Sequence, residues 1–306
     1  MGEQTYWNQP GGKTDYTGNF DLALAHKLSP RASVSIEASA VYSRAPNFAL
    51  VNAPTNAGSG GSYLDGNAKI DLTYGWGSRI ATVTSYGLSF NILQTGTTGN
   101  LYQHTIGTQF RYTVSPRTTV TAELRATYSD NTSDAAANTY STYYLLGLDS
   151  FISARIRNTV SAGIETETFT SGGRGQTSPY FESDTTLALP RQAGLTWTNT
   201  YGFQNSSTAA ETIKSYRTGL TYTQPLSTKL VASLTVAYNN LQDKNSSVRG
   251  AGYTQNQFQV SAALNYTLSP RLSLSLSYNY VDLLTSQINA SYTRDQIYLG
   301  ASYMFR

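Results

Sequence analysis

The sequence predicts an all-β fold: a single closed antiparallel transmembrane β-barrel of about sixteen strands, with residues 1–306 as one domain. Three observations predict it. Apolar and polar residues alternate with a period of two over long segments, short basic turns recur at nearly constant spacing, and uncharged polar and aromatic residues displace charged ones.

Only 39% of residues are hydrophobic and mean hydropathy is −0.34, yet charged residues make up just 13%. The 24 Tyr and 10 Phe exclude a disordered chain. The scarcity of Lys and Glu argues against the helix surfaces of a soluble α/β enzyme. No run of 18 apolar residues exists, so no spanning helix is expected. The absence of cysteine suits an exported protein. Met1-Gly2-Glu3-Gln4-Thr5 lacks the basic and apolar regions of a signal peptide, so an export signal is expected to have been removed or replaced.

Strands follow in order. A first is expected at Thr5-Tyr6-Trp7-Asn8, before Pro10-Gly11-Gly12. Val34, Ile36, Ala38, Ala40 and Tyr42 then share one face, against Ser35, Glu37, Ser39 and Val41 on the other. Val120, Ala122, Leu124, Ala126 and Tyr128 oppose Thr121, Glu123, Arg125 and Thr127 in the same way. Residues 230–238 and 258–268 repeat the alternation, and from Leu272 to Tyr280 one face is all Leu and Tyr. A last strand is expected from Gln296 to Arg306.

The turns recur as well. Leu28-Ser29-Pro30-Arg31, Val114-Ser115-Pro116-Arg117 and Leu268-Ser269-Pro270-Arg271 are near-copies, and related turns end at Arg79, Arg155, Arg191 and Lys229. These seven basic residues lie 48, 38, 38, 36, 38 and 42 residues apart, the length of a two-stranded hairpin with one short turn and one long loop. Longer spans fall at 45–66, 129–138, 170–177 and 242–252. Short turns at one rim and long loops at the other predict periplasmic turns and extracellular loops.

A soluble sandwich also alternates, but its strands are shorter. Here the apolar faces run eight residues, from Val34 to Tyr42, Val120 to Tyr128, Leu195 to Phe203, Leu230 to Tyr238 and Leu272 to Tyr280. Eight residues rise about 26 Å, or about 20 Å along a membrane normal when tilted. Each ends in an aromatic, as at a membrane interface.

At the C-terminus, Gly300 precedes Tyr303 and Phe305 on an aromatic-ending strand. This resembles the signal by which bacterial barrels are recognised by the barrel assembly machinery, although Arg306 follows the usual final aromatic. With the hairpin rhythm and the Ser-Pro-Arg turns, the chain resembles porin-like outer-membrane barrels, particularly the family called β-barrel porin 2. The resemblance implies a bacterial outer-membrane location, outer-membrane lipids as partners, and a role in diffusion or in polysaccharide export with a periplasmic export partner.

Catalytic constellations are weak. His26 and His104 stand on different strands, on the outward parity, without a nucleophile beside them. Glu165 with Glu167, and Glu182 with Asp184, share a face as a glycosidase pair does, but in a barrel such acids line the lumen. Asp130-Asn131-Thr132-Ser133-Asp134 lacks the glycine and distal Glu of a calcium loop, and Ser171-Gly172-Gly173-Arg174-Gly175 lacks the Lys-Ser/Thr of a phosphate loop. No enzyme activity, metal or cofactor is expected.

With the apolar parity outward, Asp21, Glu37, Asp71, Glu123, Asp149, Glu165, Glu167, Glu182 and Asp184 point inward, with Lys27, Lys69, Arg111, Arg125 and Arg217. This excess of acids predicts a weak cation preference, unless the charges pair across strands. Arg31, Arg79, Arg117, Arg155, Arg191, Lys229 and Arg271 form a periplasmic rim, which suits lipid headgroups or else docking of a partner that delivers cargo. Either explains the net charge of +3 without nucleic acid. About sixteen strands leave an aqueous channel. The expected function is therefore a channel for a polar solute or polysaccharide, and the alternative is a scaffolding barrel with an occluded lumen that binds partners through its loops.

Overall fold

The computed structural model describes residues 2–5, 14–43, 63–93, 100–132, 138–171, 175–205, 212–243, 254–286 and 291–303. After a short strand β1 (Gly2–Thr5), fifteen strands of 12 to 16 residues follow. They are β2 (Thr14–Lys27), β3 (Ala32–Ser43), β4 (Tyr63–Gly75), β5 (Ile80–Leu93), β6 (Leu101–Ser115), β7 (Thr118–Asn131), β8 (Thr139–Phe151) and β9 (Ile156–Phe169). Then come β10 (Gln176–Ala188), β11 (Gly194–Asn205), β12 (Thr212–Pro225), β13 (Leu230–Asp243), β14 (Thr254–Ser269), β15 (Leu272–Thr285) and β16 (Tyr292–Tyr303). They form one sheet in sequence order, each strand antiparallel to the next. The one described departure is a 3-10 turn at Pro190–Gln192.

The first described strand is Gly2–Thr5, which pairs Thr5 with Thr14. Tyr6, Trp7 and Asn8 lie outside the described residues, as do most of 45–66 and 242–252, residues 133–137 and 172–174, and Phe305.

The short turns are built by their serines. Ser29 Oγ accepts from the N–H groups of Arg31 and Ala32 at 3.2 and 3.0 Å. Ser153, Ser227 and Ser269 each repeat this with the basic residue of their turn and the residue after it. Local hydroxyl bonding replaces the ladder where the chain reverses. Register follows from these fixed turns, with shifts at Thr113/Ser115 and Thr267/Ser269.

Burial is inverted relative to a soluble sheet. On β7, Leu124 is 54% exposed, while the flanking Glu123 and Arg125 side chains are 12% and 22% exposed. Leu22, Ile70, Ile106, Phe110, Leu146, Ile164, Leu220, Leu234, Leu264 and Leu276 are likewise exposed, all on the same face. Water would penalise such a surface by about 25 cal/mol per Å² of apolar area. Hydrocarbon would not, and a paired ladder leaves few backbone groups unsatisfied in it.

Candidate functional site

The polar face is the other side of the same alternation, and its residues converge on the wall made by β6 to β12. Arg125 is the centre. Its Nε donates to Glu123 Oε1 at 2.7 Å, and Nη2 and Nη1 donate to the two Glu182 oxygens at 3.0 and 3.3 Å. Glu182 stands on β10, three strands from β7, so the guanidinium crosses β8 and β9. The floor there is glycine: Gly147 opposes Thr121, and Gly163 opposes Leu145 and Tyr180. A Cβ on Gly147 would meet Thr121 and Ser161, and one on Gly163 would meet the Tyr144 carbonyl.

Aromatic rings complete this shelf. Tyr180 donates to Glu182 Oε2 at 2.6 Å and packs edge-on against Tyr143, with ring centroids 5.0 Å apart. The Arg125 guanidinium carbon lies 5.6 Å from the Tyr143 centroid and 5.9 Å from that of Tyr180. Gly202 lets Tyr180 and Glu165 lie against β11, since a Cβ there would sit 2.6 Å from the Tyr180 ring and 2.8 Å from Glu165 Oε2. Gly202→Ala is expected to cost about 1–3 kcal/mol by overpacking. Denaturant unfolding in vesicles would measure it, and a neutral result would mean the shelf is loosely packed.

From the shelf a hydrogen-bonded chain runs toward the short turns. Glu123 accepts from Gln109 Nε2 at 3.1 Å, Gln109 accepts from Arg111 Nη1 at 2.9 Å, and Arg111 Nη2 donates to Asp149 at 3.1 Å. Arg157 also holds Asp149, at 3.0 and 3.2 Å. The fold thus joins Arg111, Glu123, Arg125, Asp149 and Glu182. Arg157, Gln109, Tyr143 and Tyr180 were not singled out in the sequence; parity alone marks them as facing the same way.

Glu165 also meets the shelf, through a hydrogen bond with Tyr143, and several of the remaining candidates have partners of their own. Asp71 pairs with Lys69 on its own strand at 2.9 Å, and Glu37 is opposite Lys69 in register. Asp21, Glu37 and Asp184 are exposed on the polar parity. Arg217 Nε donates to Ser215 at 3.2 Å. Glu165 and Glu167 are each 1% exposed, closed to any substrate in this arrangement; Glu165 Oε2 accepts from the Phe203 N–H at 2.8 Å. His104 Nδ1 meets the Tyr86 hydroxyl at 2.8 Å, both of them exposed. Among the described residues no group of three metal-ligating side chains exists. At the long-loop end the polar parity turns apolar: Ile213, Leu241, Val281 and Leu283 are buried there.

Arg31, Arg79, Arg117, Arg155, Arg191, Lys229 and Arg271 are all exposed, and none has an ion-pair partner among the described residues. Gly300 lies opposite Ser275, and the Tyr303 backbone pairs with Leu272.

The sum of nine inward acids against five bases misstates this wall. Glu123 and Glu182 share Arg125, Asp149 is held by two arginines, Asp71 has Lys69, and Glu165 and Glu167 are shut from water. The charge open to solvent is what remains.

Long antiparallel strands with an apolar exposed face and a polar protected one define the fold of bacterial outer-membrane β-barrel proteins. No family model and no curated protein sequence matches the chain. Solved structures do. The FrpB iron transporter from Neisseria meningitidis (F3-3 variant) aligns over 90% of this chain and 52% of its own, at 7% identity and a TM-score of 0.51. The ferric citrate transporter FecA in its unliganded form aligns over 95% and 55%, at 14% identity and 0.52. The copper transporter OprC aligns over 96% and 59%, at 11% identity and 0.50. The likeness is one of fold, and this chain spans little more than half the length of these proteins.

Proposed function

We propose that the chain closes into a sixteen-stranded barrel in the Gram-negative outer membrane and forms a pore for a polar solute or a polysaccharide. The inverted burial carries the reading: an apolar belt meets lipid, and a polar wall with water-accessible charge stays inside. Closure is supported by the approach of β1 to β16 within 8 Å between Cα atoms. The resemblance to β-barrel porin 2 rests on the hairpin rhythm, the turns and the terminal strand. FrpB, FecA and OprC are named as transporters, and a transport role is proposed here by analogy of fold.

The lumen this implies is uneven. The shelf on β7 to β10 narrows one side, whereas Asp21, Lys27, Glu37, Asn67 and Lys69 are exposed on the stretch of wall made by β2 to β4. Purified protein in planar bilayers is expected to give discrete conductance steps. A silent bilayer would favour the second reading, a scaffolding barrel with an occluded lumen, to which the packed shelf and the buried Leu241 and Leu283 lend support. In this reading the seven turn cations face the periplasm, and Gly300, Tyr303 and Phe305 form the sequence signal that the barrel assembly machinery reads.

A further inference from the structure

The turn cations carry a direction as well as a charge. The carbonyls of Arg31, Arg79, Arg117, Arg155 and Lys229 accept from Gly75, Thr113, Phe151, Ala188 and Thr267 at 2.7 to 2.8 Å. Each basic residue is therefore already in the ladder with the next strand. The residue following each one, namely Ala32, Ile80, Thr118, Ile156 or Leu230, pairs in register with Tyr74, Tyr112, Ser150, Leu187 or Tyr266 on the apolar parity. Successive side chains alternate, so the five cations fall on the polar parity. The turn's other end goes the opposite way: Leu28, Trp76, Val114, Ile152 and Leu226 are 53 to 64% exposed, three positions before each basic residue. Each hairpin thus presents an apolar residue to the lipid side and a cation to the mouth.

Depth sharpens the asymmetry. Beside this collar Asp149 is clamped by both Arg111 and Arg157, and Arg157 is drawn by Asp184 as well, so that cluster is balanced within itself and leaves the collar cations unneutralised. The exposed polar-parity acids Asp21, Glu37 and Asp184 lie further along their strands.

We propose that the short-turn mouth is a cationic vestibule that collects anionic solutes, carboxylated or sulfated saccharides in particular, and makes the pore anion-selective. This deepens the pore reading above and rests on it. It replaces the cation preference that the raw tally of inward acids suggests. A ring of like charge at a low-dielectric mouth raises the local concentration of its counter-ion, and added salt screens it. Lipid headgroups are the less suited partner, because the cations share the parity of the lumen rather than that of the belt.

Reversal potentials across a KCl gradient test this on the reconstituted barrel. Chloride is expected to be preferred over potassium by roughly threefold or more at low salt, and the variant R31E/R79E/R117E/R155E is expected to prefer potassium. A conducting wild type without anion preference overturns the vestibule but leaves the pore. A wild type without conductance overturns the pore, and binding of fluorescent dextran sulfate to the detergent-solubilised protein then decides the vestibule. Binding is expected in the wild type and is lost on charge reversal; equal binding by both overturns it. If reversal changes only retention on phosphatidylglycerol vesicles, the collar serves lipid and the proposal falls.

Discussion

Leu146→Arg is expected to destabilise the folded protein in lipid vesicles by about 2–4 kcal/mol, the range for a cation on the lipid face of a barrel near the bilayer midplane. Leu146 is 69% exposed in the middle of β8, between Ala122 and Ala162 in register. In a soluble protein an exposed leucine accepts arginine within about 0.5 kcal/mol, so the substitution separates the two solvents sharply. Asn67→Arg on the exposed polar wall of β4 is the control, expected to cost under about 1 kcal/mol. Urea unfolding from vesicles, followed by tryptophan fluorescence, measures both. Equal effects at the two positions would sink the membrane reading.

Much of the fold is legible in residues that alternate. Leu272 to Tyr280 shows its two faces directly, and the Ser-Pro-Arg turns mark where β2, β6 and β14 end, because a strand's parity and a turn's chemistry are local properties. The opening strand escapes this reading, because four residues carry too little alternation to fix their limits. The shelf escapes it for another reason. Nothing near Arg125 in sequence names Glu182 or Tyr180 as its partner, and the glycines that allow the crossing, Gly147 and Gly163, look like ordinary small residues in a strand. The charge of the wall is illegible for a like reason, since a tally weighs a clamped Asp149 and an open Asp21 equally. Ile213, Leu241, Val281 and Leu283 break the polar parity at one end, where alternation alone predicts polar residues.

Arg125→Ala is expected to have the other large effect, on two observables at once. It removes the one cation that both Glu123 and Glu182 hold, leaving two carboxylates against Tyr143 and Tyr180 in a packed wall. Breaking a buried pair by deleting one partner costs about 3–5 kcal/mol; with Glu182 31% exposed, the carboxylates regain some water from the lumen. A loss of about 2–3 kcal/mol is therefore expected. Glu182→Gln added to Arg125→Ala should return part of it, because one stranded charge is gone while the side-chain volume is kept. The same deletion clears the span over Gly147 and Gly163, so conductance should rise while the apolar belt and its insertion stay intact. An Arg125→Ala barrel with unchanged stability would mean that water already solvates the shelf. One with lowered stability but unchanged conductance would place the narrowest point elsewhere, with the buried Leu241, Val281 and Leu283 the next positions to substitute.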